Sequence, residues 1–492
     1  MDSVISAVCV AIVIASFFQI RRWWLSDPYV GVDPNIPEPV KFHPFWGVLP
    51  YRDNEVRLRW VFQWAIGRPI MKIHAFKIPF LVVSEPALIQ EVIQNPAFAQ
   101  KEPRSYQILG RFIGSKSTLV THGPEYTNIQ RLIQPIFHRR NMEDYFYQTM
   151  IDSTEDYATK IATLAPNSDT AVEGLNALST IDIDHYNTMY TLDIIMRCMF
   201  GVRFETGADD VSNRVEAGAE EVQKQISNLF YALSPLARYR SYIQVRDMRK
   251  DFLNIIESKK KNPNDGTKRK DLADMLIEAR DPDTGKPIDD EVIIDQFLTL
   301  MLAGHDTTAH TLTWILHMLS ERPDAEEKLL KEIETALNGR TQLSYSELTE
   351  LKYMDAIVKE TMRIFPAVYA VGRCALYDTR LGKYEVKAGT KIMINILTPQ
   401  LTERFYNDPT GWNPDRWMTA ETFPSHSYAW MPFSKGERSC VGQRFALLEI
   451  RVALLHLLPR FKFKTSRLHS IKLERRITTQ GVVHMTPEIR TK

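Results

Sequence analysis

The stretch Phe433-Ser-Lys-Gly436-Glu-Arg438-Ser-Cys440-Val-Gly442 sets one cysteine in a basic turn, and an apolar run over residues 443–458 follows at once, stopped by Pro459. A thiolate at Cys440 would lie at a helix N-terminus, where unpaired N–H groups and the helix dipole favour negative charge. That setting lowers a cysteine pKa and makes the sulfur a metal ligand or a nucleophile. Gly436 and Gly442 let the backbone turn sharply and approach something large and flat. Arg438 adds a fixed positive charge suited to a carboxylate, and Phe433 covers the sulfur against water. Taken alone, the loop is also compatible with a cysteine that is simply a small buried hydrophobe.

A second set of candidates lies in a long apolar stretch, residues 290–322, closed by Pro323. Its pattern is apolar nearly all round, which predicts a buried helix. At its centre stands Ala303-Gly304-His305-Asp306-Thr307-Thr308. Polar groups in a buried helix are costly unless they are used. Ala303, Gly304, Thr307 and Thr308 share one side and leave a shallow groove for a flat ring. Thr307 can bond back to the Ala303 carbonyl. By itself the hexapeptide also suits a small-residue helix crossing. A third set is Glu360-Thr-Met-Arg363, whose i, i+3 spacing puts both charges on one helix face, and Arg416 within Trp412-Asn-Pro-Asp-Arg416-Trp417.

Phe433, Gly436, Arg438, Cys440 and Gly442 at these offsets, with Ala446 and Glu449 after them, resemble the cysteine loop of the cytochrome P-450 superfamily. The resemblance covers about residue 30 to the C-terminus, with four motifs in the expected order. It implies a mainly α fold with small β-sheets, the haem lying between the long central helix and the cysteine-loop helix. It implies haem b with Cys440 as axial thiolate, pushing electron density toward O–O cleavage. Phe433, Gly436, Arg438, Gly442, Ala303 and Gly304 would line the haem, and Arg373 would clamp a propionate. Asp306 and Thr307 would organise proton delivery to dioxygen, so that one oxygen leaves as water. His305 fills a variable slot and is read as non-catalytic. Glu360, Arg363 and Arg416 would form a buried triad that braces the cysteine loop.

The sequence departs from the family pattern in two places. Tyr126 stands where a tryptophan is usual and Gln130 where an arginine is usual, so a propionate contact loses its charge. Tyr406-Asn407 replaces a His-Arg pair before the Trp412–Trp417 segment.

The elements that must position these groups read as follows. Residues 4–20 are almost continuously apolar, and Arg21-Arg22-Trp23-Trp24 follows them. Positive charge after the apolar run, with no A-x-A-like cleavage site, favours a retained signal-anchor whose bulk faces the cytosol. Residues 1–24 are therefore expected to be a single transmembrane anchor in the endoplasmic reticulum. Residues 25–50, rich in proline, form a connector, and residues 51–492 a haem-binding catalytic domain. A hairpin is expected over residues 70–84, then a helix capped by Ser84 and running to residue 93. Residues 101–122 show no clear period and read as a loop. Residues 180–204 read as a helix and 220–247 as a mixed amphipathic stretch, which by resemblance roofs the substrate pocket; Phe230, Tyr231 and Leu233 fit that pocket and ordinary core packing equally. Residues 257–290 read as a polar surface excursion, and 478–482 as a turn.

The chain has 492 residues, 44% of them hydrophobic, enough for a large core, and a net charge of +1. That near-neutral balance excludes the concentrated basic footprint of a nucleic-acid binder. The four cysteines form no C-x-x-C pair, so neither a zinc site nor a disulfide framework is indicated. No flavin or nicotinamide motif occurs. By resemblance, electrons would come from NADPH through a flavoprotein reductase, and one oxygen atom would enter a lipophilic substrate: a fatty acid, a sterol or a xenobiotic. Two rivals stay open, a haem-thiolate isomerase or dehydratase of lipid peroxides and a non-enzymatic haem sensor.

Overall fold

The computed structural model describes residues 27–40, 61–75, 78–165, 180–201, 203, 217, 218, 221, 224, 234–264, 270–281, 283–419, 424–475 and 478–490. The expected anchor at residues 4–20 and the pocket residues Phe230, Tyr231 and Leu233 lie outside them. Among the described residues no helix is long and apolar enough to cross a membrane. The chain divides into two compact units, Met1–Glu102 with Ala370–Thr398, and Pro103–Tyr369 with Pro399–Lys492.

The first unit is built on a four-stranded sheet. Ile70–Ala75 pairs antiparallel with Ile78–Val83, in the register Ile70↔Val83. Ile78–Val83 pairs parallel with Lys391–Asn395, which pairs antiparallel with Ala370–Cys374. Met71, Ile73 and Val82 pack with Val61 and Ala65 to form its core. The helix Pro86–Gln94 begins with proline in its first turn, where the missing N–H costs nothing. Its N-cap is Glu85 and not Ser84. The Ser84 hydroxyl instead accepts from the Asn395 amide at 3.0 Å, so a cross-strand tie takes the oxygen expected to cap the helix.

The second unit is mostly helical. Its longest helix, Asp290–Glu321, starts with the Asp289 side chain accepting from the Glu291 N–H and ends before Pro323. Helix Ile183–Phe200 packs along it. Asp182 caps that helix, and Gly201 at φ +68° ends it, a conformation glycine adopts without cost. Helix Gln443–Leu457, which follows the cysteine loop, also packs against the central helix.

Three expectations are corrected in this unit. Residues Pro103–Ile113 form a helix, not a loop. Leu109, Phe112 and Ile113 bury one face of it, and tertiary packing supplies what the short pattern did not announce. The polar stretch after residue 257 is not merely solvated. Helix Leu272–Glu278 buries Leu272, Ala273 and Leu276, and Lys259 Nζ reaches Asp271 at 2.5 Å and Asp274 at 2.9 Å. Thr479–Val482 is a strand paired with Lys472–Arg475, not a turn. A side chain at Gly481 would stand 2.6 Å from the Trp314 ring, so this glycine marks a close approach.

Candidate active site

The cysteine loop closes on itself through its backbone. The Cys440 N–H donates to the Phe433 carbonyl at 2.9 Å, and the Ser439 N–H to the Gly436 carbonyl at 3.0 Å. Gly436 turns the chain at φ +72°, and Ser434 shares the left-handed region at φ +58°, a strain that non-glycine residues rarely carry. Gly442 has an ordinary φ of −83°, contrary to its expected role as a sharp turn. A Cβ on Gly442 would meet Cys440 Sγ at 4.0 Å, so its bare face belongs to the sulfur.

The Cys440 thiol is sunk in the protein, yet the residue keeps open surface. It therefore borders a space and not packed side chains. Burial pushes the thiol up, while the Gly442 N–H pulls it down. The expected lowering at the helix N-terminus is thus overridden by desolvation. A thiolate here needs a positive partner to be held. Cys198 is packed in the main core, and Cys374 is also buried.

The Arg438 guanidinium lies over the Tyr126 ring, 3.4 Å from its centre, and Nη1 donates to the Thr121 carbonyl at 2.9 Å. The Tyr126 hydroxyl donates to the Glu437 carbonyl at 2.5 Å. Helix Gly123–Ile133 is thereby tied to the cysteine loop. Tyr126, which looked like a loss in the sequence, works as a brace through a hydroxyl that tryptophan lacks. Gln130 is half-buried on the same helix. Tyr406 is buried, with its hydroxyl donating to the Ala429 carbonyl at 3.2 Å.

The central helix carries the second group. Thr307 Oγ1 donates to the Ala303 carbonyl at 2.9 Å, as its position implied. Leu302, Ala303, Gly304, Asp306 and Thr307 keep partial exposure in a helix buried over most of its length. Thr308 is buried and bonds back to the Gly304 carbonyl at 3.2 Å. A Cβ on Gly304 would stand 2.7 Å from Ile195. The small residue there serves the crossing of two helices, and Thr308 is buried, so the open strip is narrower than the expected four-residue groove. Glu449, from the cysteine-loop helix, lies fully buried, and desolvation pushes its carboxyl well above the usual range against the pull of the Thr308 hydroxyl.

Glu360, Arg363 and Arg416 come together as one buried node. Arg363 Nε and Nη2 donate to the two Glu360 oxygens at 2.9 and 2.8 Å. Arg416 Nε donates to Oε1 at 2.9 Å. Two further donors were missed in the sequence: Trp417 Nε1 at 2.9 Å and the Asn413 N–H at 2.8 Å. The signal for the first was a tryptophan beside the motif, since a buried indole N–H needs an acceptor. Arg363 also donates to the carbonyls of Gln400, Pro409 and Gly411, which pins the Trp412–Trp417 segment. Arg373 lies in the first unit, buried in strand Ala370–Cys374, with Nη1 donating to the Gly372 carbonyl at 3.0 Å.

An exposed cysteine in a closed basic loop and a central helix with a partly exposed polar strip thus stand in the same unit. The family model "Cytochrome P450" matches residues 37–492, and the chain belongs to that family. Among its relatives is a bifunctional cytochrome P450/NADPH–P450 reductase of Bacillus cereus, 28% identical over 460 residues, 90% of this chain and 41% of that protein. The chain thus spans about two fifths of the length of this fused relative. A cyclooctat-9-en-7-ol 5-monooxygenase of Streptomyces melanosporofaciens is 27% identical, over 77% of this chain and 79% of that one. The crystal structure of the cytochrome P450DA heme domain superposes with a TM-score of 0.82 at 23% identity, covering 94% of this chain and 99% of that chain. The fold is therefore the mainly helical one of that heme domain. The family's cofactor is haem b with a cysteine thiolate ligand, and the open, sunken sulfur fits it.

Proposed function

We propose that this chain is a haem-thiolate monooxygenase that inserts one oxygen atom of O2 into a lipophilic substrate, with Cys440 as the axial ligand. Bound haem would supply dioxygen activation; the protein supplies the site for it. Phe433, Gly436 and Gly442 shape the loop around the sulfur. Arg438 offers charge to the propionates. Ala303 and Gly304 leave room above the ring. Thr307 and Asp306 present a hydroxyl and a carboxyl at the open strip, where they hold and pass the protons that the released water requires. Glu360, Arg363 and Arg416 fix the segment before the cysteine loop. The observation that carries this reading is the pairing, within one unit, of an open buried thiol with an open polar strip in a buried helix.

Electrons are proposed to come from NADPH through a flavoprotein reductase, a reading supported by relatives in which the two are fused. Residues 1–24 are proposed to anchor the protein in the endoplasmic reticulum membrane. Residues 25–50 would lead to a cytosolic catalytic domain, residues 51–492. The apolar run followed by Arg21-Arg22-Trp23-Trp24 supports that orientation.

The test uses the purified haem-loaded protein and a panel of fatty acids, sterols and xenobiotics. A substrate should shift the Soret band toward high spin, and its hydroxylated product should form only with NADPH and reductase. Turnover of a lipid peroxide without NADPH would favour an isomerase instead. No shift with any lipid and an occupied sixth position would favour a sensor.

A further inference from the structure

We infer that His305 is the proton store of the Asp306–Thr307 pair, a positioning residue that keeps Asp306 loaded. The inference rests on the relay reading above and goes beyond it, because it assigns work to a side chain that looked idle. His305 is buried in the central helix, 2% exposed at the side chain, while Asp306 is 26% exposed. The imidazole Nδ1 lies against the Met301 carbonyl within hydrogen-bond reach. Nε2 lies 3.0 Å from Asp306 Oδ1. A carbonyl oxygen only accepts, so Nδ1 carries a hydrogen. Nε2 then faces a carboxyl oxygen, and two bare acceptors do not bond. A proton placed between them, on the ring or on the carboxyl, makes this 3.0 Å contact a hydrogen bond.

The pair thus holds one transferable proton besides the fixed one on Nδ1. The ring is sealed, so its proton traffic runs through Asp306, the open member. When the relay draws on the pair, the Nε2 proton moves to Oδ1. Imidazolium plus carboxylate becomes neutral imidazole plus carboxylic acid, and no charge is created or lost. Asp306 then passes that proton on, which leaves neutral imidazole and carboxylate, and a later proton from water refills Nε2 through the same carboxyl. The surroundings hold this geometry. The Thr191 hydroxyl donates to the His305 carbonyl at 3.1 Å, and Ile195 fills the space beside Gly304. His310, the other histidine near Asp306, is committed to Asp184 at 2.9 Å.

The first test is nuclear magnetic resonance of the 15N-histidine-labelled, haem-loaded protein, reduced and bound to carbon monoxide so that the iron is diamagnetic. His305 is assigned through His305→Gln and Asp306→Asn. The expected Nε2 signal is that of a protonated or proton-sharing nitrogen, moving to a bare imine in Asp306→Asn. A bare imine nitrogen in both proteins overturns the inference. The second test is product formed per NADPH consumed, with its solvent isotope effect. His305→Gln should lower coupling several-fold, toward the value of Thr307→Ala, and change the isotope effect while the carbon monoxide spectrum is kept. If Thr307→Ala uncouples and His305→Gln does not, the store is wrong and the relay stands. If neither uncouples, the relay is wrong and the store falls with it. Should His305→Gln fail to take up haem, the spectrum of the unmodified protein, assigned through Asp306→Asn, decides.

Discussion

Glu360 and Asp306 are both carboxylates on helices of the same unit, and their surroundings are opposite. Glu360 is fully buried and accepts from five donors: Arg363 twice, Arg416, Trp417 and the Asn413 N–H. A carboxylate so saturated has no lone pair to lend. Asp306 is part open, with His305 on one oxygen and the helix strip beside it. The first arrangement fixes a segment of chain; the second leaves the carboxyl partly exposed. Charge buried to hold structure is completed on every side, whereas charge kept for chemistry is left with one side open.

The comparison breaks first at Glu360. Glu360→Gln should strand Arg363 and Arg416 without a counter-charge, costing about 3–5 kcal/mol and most of the haem content. Denaturant unfolding and the absorbance ratio of haem to protein measure both losses. A stable, haem-replete variant would mean the node is ornamental. Thr307→Ala should have the reverse profile, with stability and haem content near wild type and product per NADPH reduced several-fold, since positioned proton transfer is worth ~10²-fold or more. Unchanged coupling would remove Thr307 from the relay. The smallest effect is expected at Tyr126→Phe. It deletes the bond to the Glu437 carbonyl but keeps the ring under Arg438, so a loss of about 1 kcal/mol is expected, read as a modest fall in the unfolding midpoint.

The helices that position the site were legible because their residues obey one rule over many turns. The central helix was expected over residues 290–322 and spans Asp290–Glu321. The Glu360–Arg363 pair was readable from its i, i+3 spacing, and the return of Arg416 from the family resemblance. What was not legible depends on contacts far apart in sequence. Gly304 and Gly481 are small because Ile195 and Trp314 press against them, and neither neighbour is near in the chain. Ser84 loses its cap to Asn395, 311 positions away. At Cys440 the turn and helix start are local, whereas the desolvation that pushes the thiol up is not.

Carbon monoxide difference spectra of the reduced protein and of its single cysteine variants test the ligand assignment most directly. The unmodified protein, Cys198→Ser and Cys374→Ser should all show the long-wavelength absorption of thiolate-ligated haem, and Cys440→Ser should lose it. Retention of that band in Cys440→Ser, or its absence from the unmodified protein, would contradict the assignment of this sulfur to the iron.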